Sequence, residues 1–177
     1  MNNDGISLLT LRLENSKEHT DLYLFEGERF SDGYDNGWEA KQMADEGVMQ
    51  FYAMNGEDKM AVLATDELEG TPVCFTPGNE SNYTISFFGG DGRYYLNDLK
   101  EEQSTAIEQG NTYSFTYEQG DMPHRFLIST TPFGIPSVTT GTGGVEAQEK
   151  VQKVIYNDHV YIIRGGKIYD VMGKMMK

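Results

Sequence analysis

Hydrophobic and polar residues alternate with a period of two along most of the first 130 residues of this chain. Leu9, Leu11 and Leu13 fall on one side of an extended segment, with polar residues between them. Segments 83–87 and 113–117 repeat the alternation with aromatic and β-branched residues. A period of two is typical of β-strands with one buried face, and these residue types favour strands.

Turn-forming residues separate the alternating segments. Glycine next to asparagine or aspartate recurs every few residues, for example at Asn36-Gly37, Asn55-Gly56 and Gly120-Asp121, and such pairs are typical of tight turns. We therefore predict strands near residues 6–14, 20–26, 48–54, 59–64, 72–76, 82–88, 93–96, 111–117 and 125–130. Short strands at this spacing predict an all-β fold, an antiparallel β-sandwich of jelly-roll or immunoglobulin-like topology.

Two segments do not follow this pattern. Residues 38–45 fit either one or two helical turns or a strand in which Trp38 and Ala40 face inwards. Residues 99–108 could hold a short helix. Both alternatives stay open because neither period dominates in these segments.

The sequence predicts three regions. Residues 1–131 form the β-sandwich module, residues 132–148 form a Pro/Gly/Thr-rich linker, and residues 149–177 form a tail. The tail contains three short apolar runs separated by two-residue turns, which predicts a small β-meander. Charge changes at the same place: residues 1–148 carry 8 Lys/Arg against 25 Asp/Glu, and the tail carries 6 against 3.

Composition limits the classes of function. The chain has 177 residues, a formal net charge of -14 and one cysteine. Such an acidic surface repels nucleic-acid phosphates and anionic lipids, and one cysteine excludes a disulfide framework. No apolar run has the length of a membrane helix. We therefore expect neither nucleic acid as a partner nor membrane insertion.

The end of the tail carries a recognisable pattern. Tyr169, Asp170, Val171, Gly173 and Lys174 follow a glycine turn, and this stretch resembles the end of the C-terminal sorting domain of the type IX secretion system in Bacteroidetes, in a short variant. The sandwich module resembles, more loosely, β-sandwich modules of Bacteroidetes surface proteins. The resemblance implies the C-terminal part of a longer secreted precursor, located extracellularly or on the outer-membrane surface. Its partners would be the upstream domains of that protein and the export machinery.

Oxygen-bearing side chains cluster in one turn-rich stretch of the module. Asp32, Asp35, Asn36 and Glu39 lie within eight residues of one another, and carboxylate and amide oxygens are the ligands of calcium. The full calcium-loop pattern of an EF-hand is absent. A solvated turn is therefore the first expectation and a calcium site the alternative; no other cofactor is expected.

Aromatic residues beside polar turns suggest a second kind of site. Tyr34, Trp38, Tyr94 and Tyr95 flank Gly/Asp/Asn turns. Aromatic rings can bind the apolar faces of sugars while neighbouring polar groups bind the hydroxyls. Alternatively, Trp38 is a core anchor of the sandwich.

No catalytic pattern is present in the sequence. His19, His124 and His159 lie far apart and are predicted to be surface turn residues. Cys74 lies in an apolar run, with no base supplied by spacing, and is predicted to be a buried strand residue. Together with the resemblance of the tail, this implies a non-catalytic stalk or adhesion-type module followed by a sorting-like tail. The alternative is a carbohydrate-binding module; a glycan or a surface protein would then be the partner.

Overall fold

The computed structural model describes residues 5–31, 33, 37–43, 47–133, 152–156, 159–164, 167–170 and 175. The strands in chain order are β1 (Ser7–Glu14), β2 (His19–Glu26), β3 (Ala40–Lys41), β4 (Gln50–Asn55), β5 (Asp58–Thr65), β6 (Pro72–Thr76), β7 (Asn82–Gly89), β8 (Asp91–Asp98), β9 (Gln103–Glu108), β10 (Thr112–Thr116), β11 (Phe126–Ser129), β12 (Gln152–Tyr156), β13 (His159–Arg164) and β14 (Lys167–Asp170). The all-β prediction is confirmed, and each predicted strand is present.

The first eleven strands form one sheet in the order β10-β7-β1-β2-β5-β4-β6-β11-β8-β9, with the short β3 paired to β5. Strands β2 and β5 run parallel, so the sheet is mixed, while the other described pairs are antiparallel. The sheet bends back on itself and is nearly closed, as in a sandwich or a barrel.

One corner of this closure lies between β7 and β8. Gly89 and Gly90 both have positive φ, at 112° and 91°, a backbone region that glycine enters without steric cost. A Cβ atom added at Gly90 would lie 2.3 Å from the carbonyl oxygen of Ile107 on β9. The chain therefore passes from one half of the sheet to the other through a position that admits only glycine.

Alternating apolar residues from both halves meet in a single core. Leu11 and Leu13 of β1, Phe75 of β6 and Phe126 of β11 belong to this cluster and are fully or almost fully buried. Aromatic rings pack at its centre, with the ring centroid of Phe115 5.0 Å from that of Phe126. Burying large apolar side chains supplies the main driving force for this fold.

Strands β4, β6 and β11 depart from simple alternation. Consecutive residues are buried along each of them, because their second face is covered as well. Tyr52, Met54 and Cys74 form a second buried cluster on that face. These strands lie in the middle of the sheet, where near-continuous apolar runs are expected.

The structure describes all of segment 99–108, and residues 38–43 of segment 38–45, where it contains no helix. Residues 103–108 form strand β9, so the short-helix alternative is wrong; pairing with β8 overrides the weak local preference. Ala40 lies in the short strand β3, but the inward-facing prediction for Trp38 and Ala40 is wrong. Both are exposed, whereas Glu39 between them is buried.

The tail strands β12, β13 and β14 pair antiparallel with one another in a separate three-stranded sheet. The predicted meander is therefore confirmed. Residues 134–151, which include most of the predicted linker, lie outside the described residues, so the proposed domain boundary stays a prediction. Within the described part of the chain, no helix has the length and apolar character of a membrane span.

Candidate functional site: the outer face of β10-β7-β1-β2

Strands β10, β7, β1 and β2 expose the side opposite the core, which we call the outer face. Side chains on neighbouring strands form rows across it, set by the antiparallel register. One row runs Ser114–Thr84–Glu14–His19 and the next runs Thr112–Ser86–Arg12–Asp21. The chemistry of the outer face changes along the strands, from polar rows at one end to an apolar end.

The apolar end is formed by four large exposed side chains, which we call the apolar patch. Their exposed fractions are 42% for Leu8, 38% for Tyr23, 36% for Trp38 and 49% for Phe88. Phe88 and Tyr23 flank Thr10 in one row, and Leu8 pairs with Phe25 in the next. Exposed apolar residues are ordinary when scattered, but a contiguous set on one face is typical of an interaction surface.

Trp38 joins the apolar patch from the loop before β3. Its ring centroid lies 5.5 Å from that of Phe25 and 5.2 Å from that of Phe30. The guanidinium carbon of Arg29 lies 4.4 Å from the centroid of the Trp38 ring. Trp38 is therefore exposed rather than a buried core anchor, and one face of its ring contacts a cation.

An ion pair separates the apolar patch from the polar rows. Arg12 donates from Nε to Oδ1 of Asp21 at 2.7 Å and from Nη2 to Oδ2 at 2.9 Å, a bidentate pair. The hydrogen bond from Arg12 lowers the pKa of Asp21 below its ordinary value. The Arg12 guanidinium also lies 5.1 Å from the Phe88 ring centroid, so it links the patch to the polar rows.

The polar end contains an open groove of about 520 Å³. Described residues that line it include Glu14 and Asn15 at the end of β1, Asn82 and Thr84 on β7, and Ser114 and Thr116 on β10. The hydroxyls of Thr84 and Ser114 lie 2.9 Å apart, and Thr116 donates to Asn82 Oδ1 at 3.1 Å. The groove is thus floored by hydroxyl and carboxamide groups that bond to one another across strands.

A buried ion pair fixes the strand that carries this groove. Arg125 donates through Nη2 to Oδ2 of Asp98 at 2.8 Å and through Nη1 to the carbonyl oxygen of Thr116 at 2.9 Å. Tyr113 also donates to Asp98, at 2.7 Å, and burial raises the pKa of its phenol. The Arg125 guanidinium stacks on Phe115 at 4.6 Å. Strand β10 is therefore attached to the core by charged and aromatic contacts together.

The predicted aromatic platform is not formed by the residues that the structure describes. Tyr94 is buried, and its hydroxyl donates to Glu26. Burial and the hydrogen bond to Glu26 raise the pKa of that phenol. Tyr95 follows Tyr94 on β8 and points to the opposite side of the sheet, because successive strand residues alternate. Tyr94 is therefore not available to an exposed platform, and Tyr34 lies outside the described residues.

The predicted calcium site is largely beyond what the structure describes. Asp32, Asp35 and Asn36 lie outside the described residues. Glu39 is buried, and the amide nitrogen of Ala64 lies 3.5 Å from its Oε1. Among the described residues, no group of three or more potential ligands is placed to hold a metal ion. The calcium site stays a prediction.

Two buried residues that the sequence did not connect lie side by side. Cys74 Sγ is 3.1 Å from His124 Nδ1, and both residues are buried, so the surface prediction for His124 is wrong. Burial raises the pKa of the Cys74 thiol and lowers the pKa of His124 to about 4. A reactive cysteine–histidine pair needs a thiolate, whereas burial keeps both of these groups neutral.

The sorting-type residues lie partly within the described tail. Tyr169 and Asp170 belong to β14, where Tyr169 pairs with Ile162 and is half-buried. Tyr169 also bridges to Met175. Val171, Gly173 and Lys174 lie outside the described residues.

Sequence reasoning missed the apolar patch, although a signal for it was present. Tyr23 stands between Leu22 and Leu24, Leu8 stands beside Leu9, and Phe88 follows Phe87. Each is an apolar residue at a position where the alternation calls for a polar one. Apolar residues on the solvent side of a strand therefore marked the outer face.

Comparison with known proteins gives one informative similarity. Over 114 residues, 61% of this chain, the sequence is 33% identical to the Minor fimbrium subunit Mfa5 of Porphyromonas gingivalis. The chain spans 9% of the length of that relative. No family model matches the chain, and no solved structure matches it. The similarity is to part of a fimbrial subunit from a Bacteroidetes bacterium, and it supports a module of a Bacteroidetes surface protein.

Proposed function

We propose that this chain is a non-catalytic module of an exported bacterial cell-surface protein, with a stalk or adhesion role for the sandwich and a sorting role for the tail. The similarity to a fimbrial subunit supports the surface location and the stalk or adhesion role, and the sorting role is based on the resemblance of the tail alone. A fimbrium is an extracellular assembly of protein subunits, so the location we propose is the outside of the cell. The neutral, buried state of Cys74 and His124 is consistent with a non-catalytic role.

The apolar patch gives this module a surface for contact with a neighbouring protein module of the same assembly. Tyrosine, tryptophan, phenylalanine and arginine are enriched where proteins contact each other. The patch contains one of each aromatic type, with Arg12 and Arg29 over its rings. Removing its exposed area from water on contact would add to the stability of the assembly.

The location can be tested on intact cells. The full chain is expressed behind a signal peptide in a Bacteroidetes host, and the cells are treated with a protease that cannot enter them. We expect complete digestion of the module. Survival of the module in intact cells, with digestion only after lysis, would contradict the surface location.

The contact role is tested with a patch variant. Tyr23→Ser combined with Phe88→Ser removes two exposed rings without opening the core. We expect less high-molecular-mass assembly in material sheared from the cells, with unchanged amounts of the protein at the surface. Met43→Ser is the matched control, because Met43 is 84% exposed and outside the patch. Equal assembly in the patch variant and the control would contradict the contact role.

The sorting role of the tail is a separate part of the proposal. The tail resembles a type IX sorting domain in Tyr169, Asp170, Val171, Gly173 and Lys174. A reporter with a signal peptide is fused to residues 132–177 and expressed in a host that has this export system. We expect the reporter outside the cell and a loss of export with Asp170→Ala. Retention of all reporter in the periplasm would contradict the sorting role.

A further inference from the structure

The groove on the outer face has a chemistry different from that of the apolar patch. Its floor consists of the rows Thr116–Asn82 and Ser114–Thr84–Glu14. Neighbouring strands lie about 4.8 Å apart, so these groups form a regular array. A volume of about 520 Å³ falls within the range of small-ligand sites.

The polar groups of the groove suit a ligand rich in hydroxyls. A serine or threonine hydroxyl donates one hydrogen bond and accepts others, and a carboxamide does both. The Thr84–Ser114 and Thr116–Asn82 contacts orient these groups across the strands. Such an array matches a ligand whose own groups both donate and accept, and sugar hydroxyls have that property.

The charge of the groove further restricts the class of ligand that it can bind. Glu14 carries the formal charge among the described lining residues, and Ser86 donates to its Oε1 at 3.2 Å. Lys17, close in sequence, is paired with Glu80. Arg12, which lies two residues before Glu14 on the outer face, is already paired with Asp21, so Glu14 leaves the groove acidic and repels an anionic ligand. The groove therefore favours a neutral ligand over an acidic one.

An apolar surface lies farther along the same strand. Phe88 is four residues beyond Thr84 on β7, about 13 Å at roughly 3.3 Å per residue, and both side chains belong to the outer face. Aromatic rings accept the apolar faces of sugar rings. A ligand longer than one sugar unit would reach from the groove towards Phe88.

We propose that the groove binds a neutral, hydroxyl-rich saccharide, with its hydroxyls on Thr84, Ser114 and Asn82 and its chain extending towards Phe88. The site differs from the aromatic platform that the sequence suggested. The site shares Phe88 with the apolar patch, but its hydroxyl contacts depend neither on the contact role of the patch nor on the sorting role of the tail, so these proposals fail separately.

The experiment measures binding of the full chain to a glycan array that contains neutral oligosaccharides and their sialylated or sulfated counterparts. We expect binding to at least one neutral oligosaccharide of two or more units, and weaker binding to its acidic counterpart. Affinity for the neutral ligand is then measured by titration calorimetry. Absence of binding to every neutral oligosaccharide, or equal binding of the acidic counterpart, would overturn the proposal.

Two variants locate the site. Thr84→Val with Ser114→Ala removes a hydroxyl pair at nearly constant shape and leaves no partner behind; we expect about a tenfold loss of affinity, the effect of one to two hydrogen bonds. Glu14→Gln keeps the acceptor for Ser86 and removes the charge; we expect the acidic counterpart to bind more tightly and the neutral ligand to bind unchanged.

Met43→Ser, outside the groove, is the control for both variants. The melting temperature of each variant is compared with that of the parent chain to show that it is folded. If the double variant does not fold, Glu14→Gln alone tests the position of the site. This variant can change the preference for the neutral over the acidic oligosaccharide only if the ligand binds beside Glu14. If the folded double variant binds the neutral oligosaccharide with unchanged affinity, the proposed site is wrong.

Discussion

Two arginine–aspartate pairs in this molecule have nearly the same chemistry but different surroundings. Arg125 and Asp98 have side-chain exposures of 2% and 1%, whereas Arg12 and Asp21 have 33% and 19%. Both guanidinium groups also lie near a phenylalanine ring. The buried pair connects β8 and β10 with the segment just before β11, and the partly exposed pair lies on the outer face. Burial, rather than the kind of contact, decides which pair supports the fold.

Breaking the buried pair should cause the largest loss of stability. Arg125→Leu leaves the Asp98 carboxylate buried without its guanidinium partner. Loss of one member of a buried ion pair costs about 3–5 kcal/mol, and we expect that loss in the free energy of unfolding measured by urea denaturation. The variant also removes the hydrogen bond to the Thr116 carbonyl, so β10 should exchange its amide protons faster. A loss below about 1 kcal/mol would show that Asp98 finds other partners. It would contradict the conclusion that burial makes this pair important for the fold.

Two histidines allow the same comparison of a buried with an exposed group, here through the pH dependence of stability. His124 is buried and its pKa is lowered to about 4 from 6.5, whereas His19 is exposed on the outer face. Between these two pH values the unfolded chain binds a proton that the folded His124 does not. The free energy of unfolding should therefore fall as the pH falls from 6.5 to 4, by about 3 kcal/mol in total.

The prediction for His124 is checked by comparing how the free energy of unfolding depends on pH in the parent chain and in two histidine variants. His124→Asn cannot take up that proton, so the stability of the parent chain should decrease more steeply than that of the variant over this pH range. His19→Gln, which removes an exposed histidine instead of the buried one, is the matched control. Parallel curves for the parent chain and His124→Asn would mean that His124 is protonated in the folded state.

Two glycines at the β7–β8 corner give an intermediate effect. Gly90 and Gly92 both have positive φ, but an added Cβ would lie 2.3 Å from the Ile107 carbonyl oxygen at Gly90 and 3.8 Å from the nearest atom at Gly92. The cost of positive φ, about 1–2 kcal/mol, applies to both alanine variants. Overpacking adds about 1–3 kcal/mol at Gly90 alone. In urea denaturation, we expect the free energy of unfolding to decrease by that additional amount in Gly90→Ala compared with Gly92→Ala. Equal decreases would mean that the β9 backbone moves to make room for the added methyl group.

Most of the fold could be predicted from the sequence, and little of the site could. Strands such as β1 and β7 were predictable because their alternation is local. Strand β9 was not, because its residues have weak preferences and pairing with β8 decides their conformation. Cys74 and His124, or Asp98 and Arg125, come together only through strand order, which spacing along the chain does not reveal. The apolar patch left a local signal, in the form of apolar residues at outward positions.

The partly exposed pair gives the smallest expected change in stability and the sharpest test of the comparison between the two pairs. Replacing Arg12 by leucine leaves the Asp21 carboxylate in contact with water, so it needs no partner, and exposed pairs contribute little to stability. We expect a change in the free energy of unfolding within the extrapolation uncertainty of about 10–15%. Because Arg12 lowers the pKa of Asp21 from 3.8, the pair stabilises the fold above that pH, and its contribution is lost as the pH falls below 3.8. High salt should screen it as well. A loss comparable to that of Arg125→Leu would mean that the outer face is closed to solvent, and the apolar patch and the groove would then both lose their role as contact surfaces.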